Sequence, residues 1–259
     1  MNINFNQNNM VSLSKFESML KTNNVYFFDS TEFEEIIQHY LDSGRQTLAY
    51  KAISLGLEQH PASVSLKILL AELFIYEDKF DEADLILTAL HAIEPTNEEV
   101  YIQKANMFSK KDEHQSAIDS LKIALVYTDD KVDVLSMIGM EYLYLDKFDD
   151  ARLSFAKCLD VDFEDYSSLY NVIYCFDMQN RHKDAVLYLK KIIDKDPYSE
   201  VAWHQLGRQH YILEEHNEAL RAFDFAIVID ELFVGAYLEK AKTLEQLNSY
   251  EEAIDNYLV

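Results

Sequence analysis

The chain has 259 residues, of which 49% are hydrophobic, and it carries a formal net charge of −23. Its apolar content argues against a chain that is disordered throughout. Five glycines and three prolines are too few for the tight turns of a many-stranded β protein, so the composition favours helices. The acidic balance disfavours nucleic acid as a partner, because it repels phosphate groups.

The opening segment differs from the rest of the chain. Residues 1–11 are rich in asparagine and offer little that could pack, so we predict that they are disordered. Residues 12–29 predict a short helix and an apolar stretch, interpreted as an N-terminal capping helix and lid. A capping box of Thr31 with Glu34 predicts the start of the next helix near residue 30. The segment has no export signal, and we expect a cytoplasmic protein without a membrane partner.

From residue 30 onward the sequence repeats with a period of 34 residues. The hexapeptide DKFDEA at 78–83 returns as DKFDDA at 146–151. Alanine recurs at the same interval, as Ala49, Ala83, Ala117, Ala151, Ala185, Ala219 and Ala253. If this alanine is position 20, the units start at residues 30, 64, 98, 132, 166, 200 and 234. The repeat array therefore spans 30–259, and its last unit is incomplete.

Each unit predicts two helices. Apolar residues spaced by three, four and seven positions favour amphipathic helices over about positions 2–14 and 18–31. Position 8 is small in five of the seven units, as Ala71, Ala105, Gly139, Gly207 and Ala241. Small residues there would let the paired helices approach closely. The prediction is an all-α protein built as a solenoid of antiparallel helix pairs.

The chain stops partway along a predicted helix. Ala253, Ile254 and Tyr257 then have no following unit to pack against. We interpret the sequence as a fragment of a longer protein, with further repeats or another domain beyond Val259. The same uncapped unit is a candidate surface for self-association.

The repeat resembles the tetratricopeptide repeat family, whose period is 34 residues. The best copy has aromatic, small and apolar residues in the family's order, as Trp203, Leu206, Gly207, Ala219, Phe223 and Ala226. It departs from the pattern at His210, where tyrosine is usual, and at Glu231, where proline is usual. The resemblance implies a right-handed superhelical α-solenoid.

The resemblance also implies a binding groove, because ligands of the family meet positions 2, 5, 9, 12 and 13 of the first helices. Those positions are acidic in the first unit, aromatic and methionine-rich in the middle, and mildly basic near Arg208. The candidate groove residues are Tyr76, Asn106, Met140, Tyr144, Tyr170, Tyr174, Met178, His204, Arg208 and Tyr211. Some of these side chains could instead pack between neighbouring units. The family's clamp for acidic chaperone tails is rejected, since its lysine position holds Ile102.

Motifs for chemistry are absent from the sequence. It contains no HExxH, CxxC, GxSxG or phosphate-binding glycine loop. His114, His182 and His216 share position 17 with aromatic residues of other units, which indicates packing instead of metal binding. Cys158 and Cys175 fit buried small positions. We therefore expect no enzyme activity, cofactor or metal.

The favoured function is a non-enzymatic scaffold that binds a peptide or helical segment of a partner protein in the groove. Apolar anchors with basic flanks would suit the groove residues. The alternative is that the array is the regulatory or self-assembling half of a longer protein whose activity lies beyond residue 259. RNA binding, as in related 35-residue helical repeats, is disfavoured by the acidity and by the period of 34.

Overall fold

The computed structural model describes residues 2–22 and 25–259, and its regular elements there are all α-helices. The helices are α1 (Asn2–Thr22), α2 (Ser30–Asp42), α3 (Gln46–Gln59), α4 (Val64–Tyr76), α5 (Phe80–Ile93), α6 (Glu98–Lys110), α7 (His114–Tyr127), α8 (Lys131–Tyr144), α9 (Phe148–Val161), α10 (Tyr166–Met178), α11 (His182–Lys195), α12 (Glu200–Ile212), α13 (His216–Ile229), α14 (Val234–Gln246) and α15 (Tyr250–Tyr257). Among these described helices, none combines the length and the apolar character needed to cross a bilayer.

The helices form pairs that match the predicted units. From α2 onward, each even-numbered helix packs on the following odd-numbered helix, and each pair contacts the next within a compact unit. The chain divides into two such units, one ending at Asp129 and the other spanning Asp130–Val259. Each unit is an all-α solenoid of stacked helix pairs, which confirms the predicted fold class.

One residue with a left-handed backbone ends the first helix of every pair. It occupies position 15 throughout, as Gly44, Asp78, Asp112, Asp146, Asn180, Glu214 and Asn248. The next amide then reaches back to the carbonyl at position 11, as in the 2.8 Å bond that the Lys79 N–H donates to the Phe74 oxygen. This is the Schellman arrangement, which satisfies carbonyls at a helix end and reverses the chain. The repeated hexapeptide therefore encodes the turn between paired helices.

Both glycines at position 8 face a phenylalanine at position 24. A Cβ added to Gly139 would lie 2.6 Å from the Phe155 ring, and one added to Gly207 would lie 2.5 Å from the Phe223 ring. Where position 8 is alanine, position 24 is leucine in two units, as Leu87 and Leu121, and tyrosine in the incomplete last unit. The glycines thus permit a close approach between helix backbone and aromatic ring.

The structure corrects two details near the N-terminus. Helix α1 already begins at Asn2, whereas residues 1–11 were predicted to be disordered; residues 2–11 contain no proline or glycine that would stop a helix. Met1 lies outside the described residues. The cap of α2 is Asp29, whose side chain accepts from the Glu32 N–H at 2.8 Å, and not Thr31. Asp29 forms a capping box with Glu32, two residues earlier than the sequence suggested.

The segment before α2 packs against the first helix pair. The rings of Phe16 and Phe28 are fully buried, with centroids 5.9 Å apart. Phe16 also approaches Phe33 and Tyr40 of α2, at 6.3 and 6.2 Å. These edge-on aromatic contacts anchor α1 on the array. The assignment of 12–29 as a lid stays a prediction, and residues 23 and 24 lie outside the described part.

Candidate peptide-binding surface

Helix α10 presents a row of large side chains to solvent. Tyr170, Tyr174 and Met178 follow one another at intervals of four residues, so they share one face of the helix. All three are exposed, Tyr174 to 46%, while Val172 and Cys175 on other faces are fully buried. The helix is therefore held in place by its buried side and displays an apolar row with polar tips.

Helix α8 carries the same kind of row. Met140 and Tyr144 lie one turn apart near its end, and both are exposed, Tyr144 to 62%. The tyrosine hydroxyl gives each exposed ring a hydrogen-bonding end, which suits it to an interface that is partly wet. Five of the candidate residues are therefore exposed on α8 and α10, the first helices of two successive repeats in the unit that spans Asp130–Val259.

The candidates on α12 are less accessible. Arg208 is half-buried and its Nη1 donates to the Gln205 Oε1 at 3.3 Å. Tyr211 is half-buried as well, with its ring 5.7 Å from the His216 ring. Helix α12 contacts both α10 and α14, the first helices of the neighbouring pairs. These two side chains can still contribute an edge or a charge to a ligand.

His204 is buried, although its position predicted a side chain in the groove. Its exposed fraction is only 9%, and its ring lies 5.0 Å from the Phe233 ring and 5.9 Å from the Phe223 ring. Neither ring nitrogen makes a hydrogen bond of normal geometry. Burial, followed by repulsion from Arg208, lowers the pKa of His204 to about 4. The structure gives this neutral ring a packing role, because Phe233 in the loop before α14 packs against it.

The two remaining candidates lie in the other compact unit and line one cavity. Tyr76 and Asn106 surround a cavity of about 350 Å³ together with Glu72 and Lys110. The Lys110 ammonium is held by Asp78 at 2.8 Å and donates to the Tyr76 carbonyl at 2.6 Å. It also lies 5.3 Å from the centre of the Tyr76 ring, at cation–π distance. This lysine is committed to the repeat interface, which fits the rejection of the chaperone clamp.

The structure brings the candidates together in two sets, one in each compact unit. Tyr76 and Asn106 form the first set, and the eight residues from Met140 to Tyr211 lie in the second unit. Their union in a single groove stays a prediction. Glu34 and Glu72, at positions 5 and 9 of their units, line a further cavity in the unit that ends at Asp129. They were not among the candidate groove residues, although the sequence showed acidic groove positions in the first unit.

Comparison with known proteins supports the repeat assignment. A family model described as tetratricopeptide repeat matches residues 136–200. Anaphase-promoting complex subunit 3 of Schizosaccharomyces pombe (strain 972 / ATCC 24843) is 22% identical over 160 residues. That match includes 62% of this chain, but the chain spans only 24% of the length of that relative.

Two solved structures share the fold. One is a tetratricopeptide repeat protein from Parabacteroides merdae ATCC 43184, with a TM-score of 0.50 and 16% identity, covering 88% of this chain and 90% of that one. The other is pilF of Pseudomonas aeruginosa, with a TM-score of 0.52 and 16% identity, covering 88% and 89%. With the period of 34 residues and the helix pairs, these similarities support a tetratricopeptide repeat array, and the family model itself matches residues 136–200.

Proposed function

We propose that the chain is a non-enzymatic scaffold that binds a peptide or helical segment of a partner protein through the exposed row, by which we mean Met140 and Tyr144 on α8 together with Tyr170, Tyr174 and Met178 on α10. The observation that carries this proposal is the exposure of these side chains. Tyr144, Tyr170, Tyr174 and Met178 stay exposed on helices whose other faces are closely packed. Aromatic and methionine side chains are the kind that dominate binding energy at protein interfaces.

Preorganisation is the mechanism by which such a surface would bind. The buried face of α10 packs on α9 and α11, so the row is already formed before a partner arrives. Little ordering entropy is then lost by the scaffold, and more of the contact energy remains as affinity. The partner supplies apolar side chains to cover the rings and polar groups to meet the hydroxyls.

The curated relative agrees with a role in protein assembly. Its name places it as a subunit of a multisubunit complex. Repeat arrays without a catalytic motif commonly offer extended surfaces to partners. The proposal for this chain nevertheless rests on its own exposed row, since the relative is much longer.

Site-specific photocrosslinking tests the proposal. A benzoyl-phenylalanine at position 174, in native cell extract, should crosslink a defined partner that the same group at position 198 does not. Tyr198 is the control because it is 79% exposed and lies outside the row. Tyr174→Ala should then weaken binding of that partner by about 2 kcal/mol, roughly thirtyfold in Kd. Identical crosslinks from both positions, or an unchanged Kd, would contradict the assignment.

A further inference from the structure

A second concave site lies in the unit that ends at Asp129. It is a cavity of about 900 Å³ bounded by α2, α4, α6 and the loop before α6. This volume falls within the range of ligand-binding clefts. Glu72 also lines the smaller cavity beside Tyr76, so the two cavities are neighbours in this unit. Its lining combines an apolar floor with a carboxylate rim.

Helix α4 supplies the floor. Val64, Ile68 and Leu69 face the cavity, and Ile68 is only 8% exposed, which places it at the bottom. An apolar floor can receive a methyl group or the aliphatic stem of a long side chain. A fully hydrated ion would make no favourable apolar contact with this floor, because it keeps its shell of water.

The rim carries negative charge on every side. Its carboxylates belong to Glu34, Glu35, Glu72, Glu94 and Glu99. No lysine or arginine is among the described residues that line the cavity. Burial, followed by the nearby Asp29 and Glu32, raises the pKa of Glu35. The rim thus holds five carboxylates of like charge, without a basic side chain among the described residues of the lining.

Neutral groups hold several of these carboxylates in place. Glu34 accepts hydrogen bonds from Ser30, at 3.1 Å, and from Ser65. Glu99 accepts from the Gln103 amide at 2.8 Å. Hydroxyl and amide donors orient a carboxylate but leave its charge in place. The side chains are therefore positioned while their charge remains available to a cation.

Glu72 is the carboxylate with the greatest need of a partner. It is half-buried, and among the described residues no hydrogen bond or ion pair reaches its side chain. Burial, followed by repulsion from Glu99, raises the pKa of Glu72. A bound cation would relieve both effects at once, because it restores favourable charge contact where water is partly excluded.

We propose that this cavity binds a basic, partly apolar segment of a partner protein, with a lysine or arginine side chain lying on the floor and its charged head between Glu72 and Glu99. The inference goes beyond the proposed function, because it adds a second site in the unit that ends at Asp129 and names the chemistry of the segment bound there. A metal ion fits less well, since no three acidic, histidine or cysteine side chains in the described part lie close enough to hold one. The long apolar stem of arginine or lysine matches the floor, and its head matches the rim.

Three labelled peptides test this proposal against the full chain at physiological salt. The first alternates arginine and leucine over eight residues, the second replaces arginine by uncharged citrulline, and the third replaces leucine by serine. Fluorescence anisotropy should show that only the first binds well. The double variant Glu72→Gln, Glu99→Gln should weaken it by roughly tenfold or more, because charge-assisted bonds are lost.

A matched control separates the cavity from general acidity. Glu82→Gln with Asp84→Asn removes two carboxylates from the exposed side of α5 in the same unit, and this variant should keep the affinity within about twofold. Equal weakening by both double variants, equal binding of the citrulline peptide, or no binding of the arginine peptide would overturn the proposal. Equal binding of the serine peptide would show that charge alone is recognised and would overturn the assignment of the floor. Tyr174→Ala should leave this peptide's affinity unchanged, so failure here is distinct from failure of the α8 and α10 row.

Discussion

The contact between Gly207 and Phe223 allows a quantitative test of how the repeats pack. In Gly207→Ala, the new Cβ would lie 2.5 Å from one ring carbon of Phe223 and within 2.8 Å of two others. Carbon atoms prefer about 3.5–4.0 Å, so the ring must move by about 1 Å. Overpacking of this kind costs about 1–3 kcal/mol, and alanine recovers about 1 kcal/mol of helix propensity. The net loss in the free energy of unfolding should be about 1 kcal/mol, within a range of about 0–2 kcal/mol.

The partner change should reverse this loss. Phe223→Leu alone should cost about 1–2 kcal/mol through lost apolar contact. Together with Gly207→Ala it recreates the alanine and leucine pair that Ala71 and Leu87 form, both of them fully buried. The double variant should therefore lie within about 1 kcal/mol of the wild type. Central losses of about 1 and about 1.5 kcal/mol for the single variants then give a coupling energy of about 1.5 kcal/mol.

Denaturation followed by the fluorescence of Trp203 measures these changes. Trp203 is the single tryptophan of the chain and stacks on Phe225 at 4.5 Å, within the same helix pair. Gly235→Ala is the control, since its nearest neighbour would be 3.5 Å away; it should not destabilise the chain and should gain at most about 1 kcal/mol of helix propensity. Additive effects of the two substitutions, within about 0.3 kcal/mol, would refute the steric reasoning.

Two further predictions concern the same unit. Folding lowers the pKa of His204 from 6.5 to about 4. As the pH falls through this range, the unfolded chain takes up a proton before the folded chain does. The free energy of unfolding therefore drops by about 3 kcal/mol between pH 6.5 and about 4. Arg208 opposes the charged imidazole and Glu239 favours it. His204→Leu should remove that part of the pH dependence in denaturation curves, and an unchanged pH dependence would count against it. Glu214 adopts a left-handed backbone at φ 60°, where asparagine is tolerated better. Glu214→Asn should therefore add about 0.5–1 kcal/mol to stability, while Glu214→Gln, with its similar side-chain length, should add nothing; equal effects would contradict the backbone argument.

Much of the fold was predictable because the repeat supplies many copies of each signal. The predicted units start within one residue of the first helices from α2 to α14. The start of a helix depends on its local cap. At α2 the cap is Asp29 and not Thr31, because the capping box of Asp29 with Glu32 satisfies two backbone donors. A local pattern could not distinguish these two neighbouring capping boxes.

The site was harder to predict because accessibility depends on several helices. The row at Tyr170 and Tyr174 followed from one helix, and the sequence pattern was sufficient to find it. His204 has the same position as Tyr170 in its unit, but Phe233 from a later loop covers it. The cavity beside Glu72 similarly requires three first helices and a loop, so its acidic residues looked like separate surface charges in the sequence.

The close contacts of Gly139 with Phe155 and of Gly207 with Phe223 have a consequence for how accurately the repeats pair during folding. While a repeat protein folds, each first helix can contact several second helices of similar sequence. Wrong pairing between repeats is therefore a characteristic folding error. In the geometry of the Gly139 and Phe155 contact, an alanine methyl group would lie 2.6 Å from the ring, so the helix that carries Phe155 cannot pack in this way on a first helix with alanine at position 8, such as Ala71 or Ala105. The same holds for Phe223, which faces Gly207. The two glycines thus disfavour the pairing of these two second helices with most first helices of other repeats.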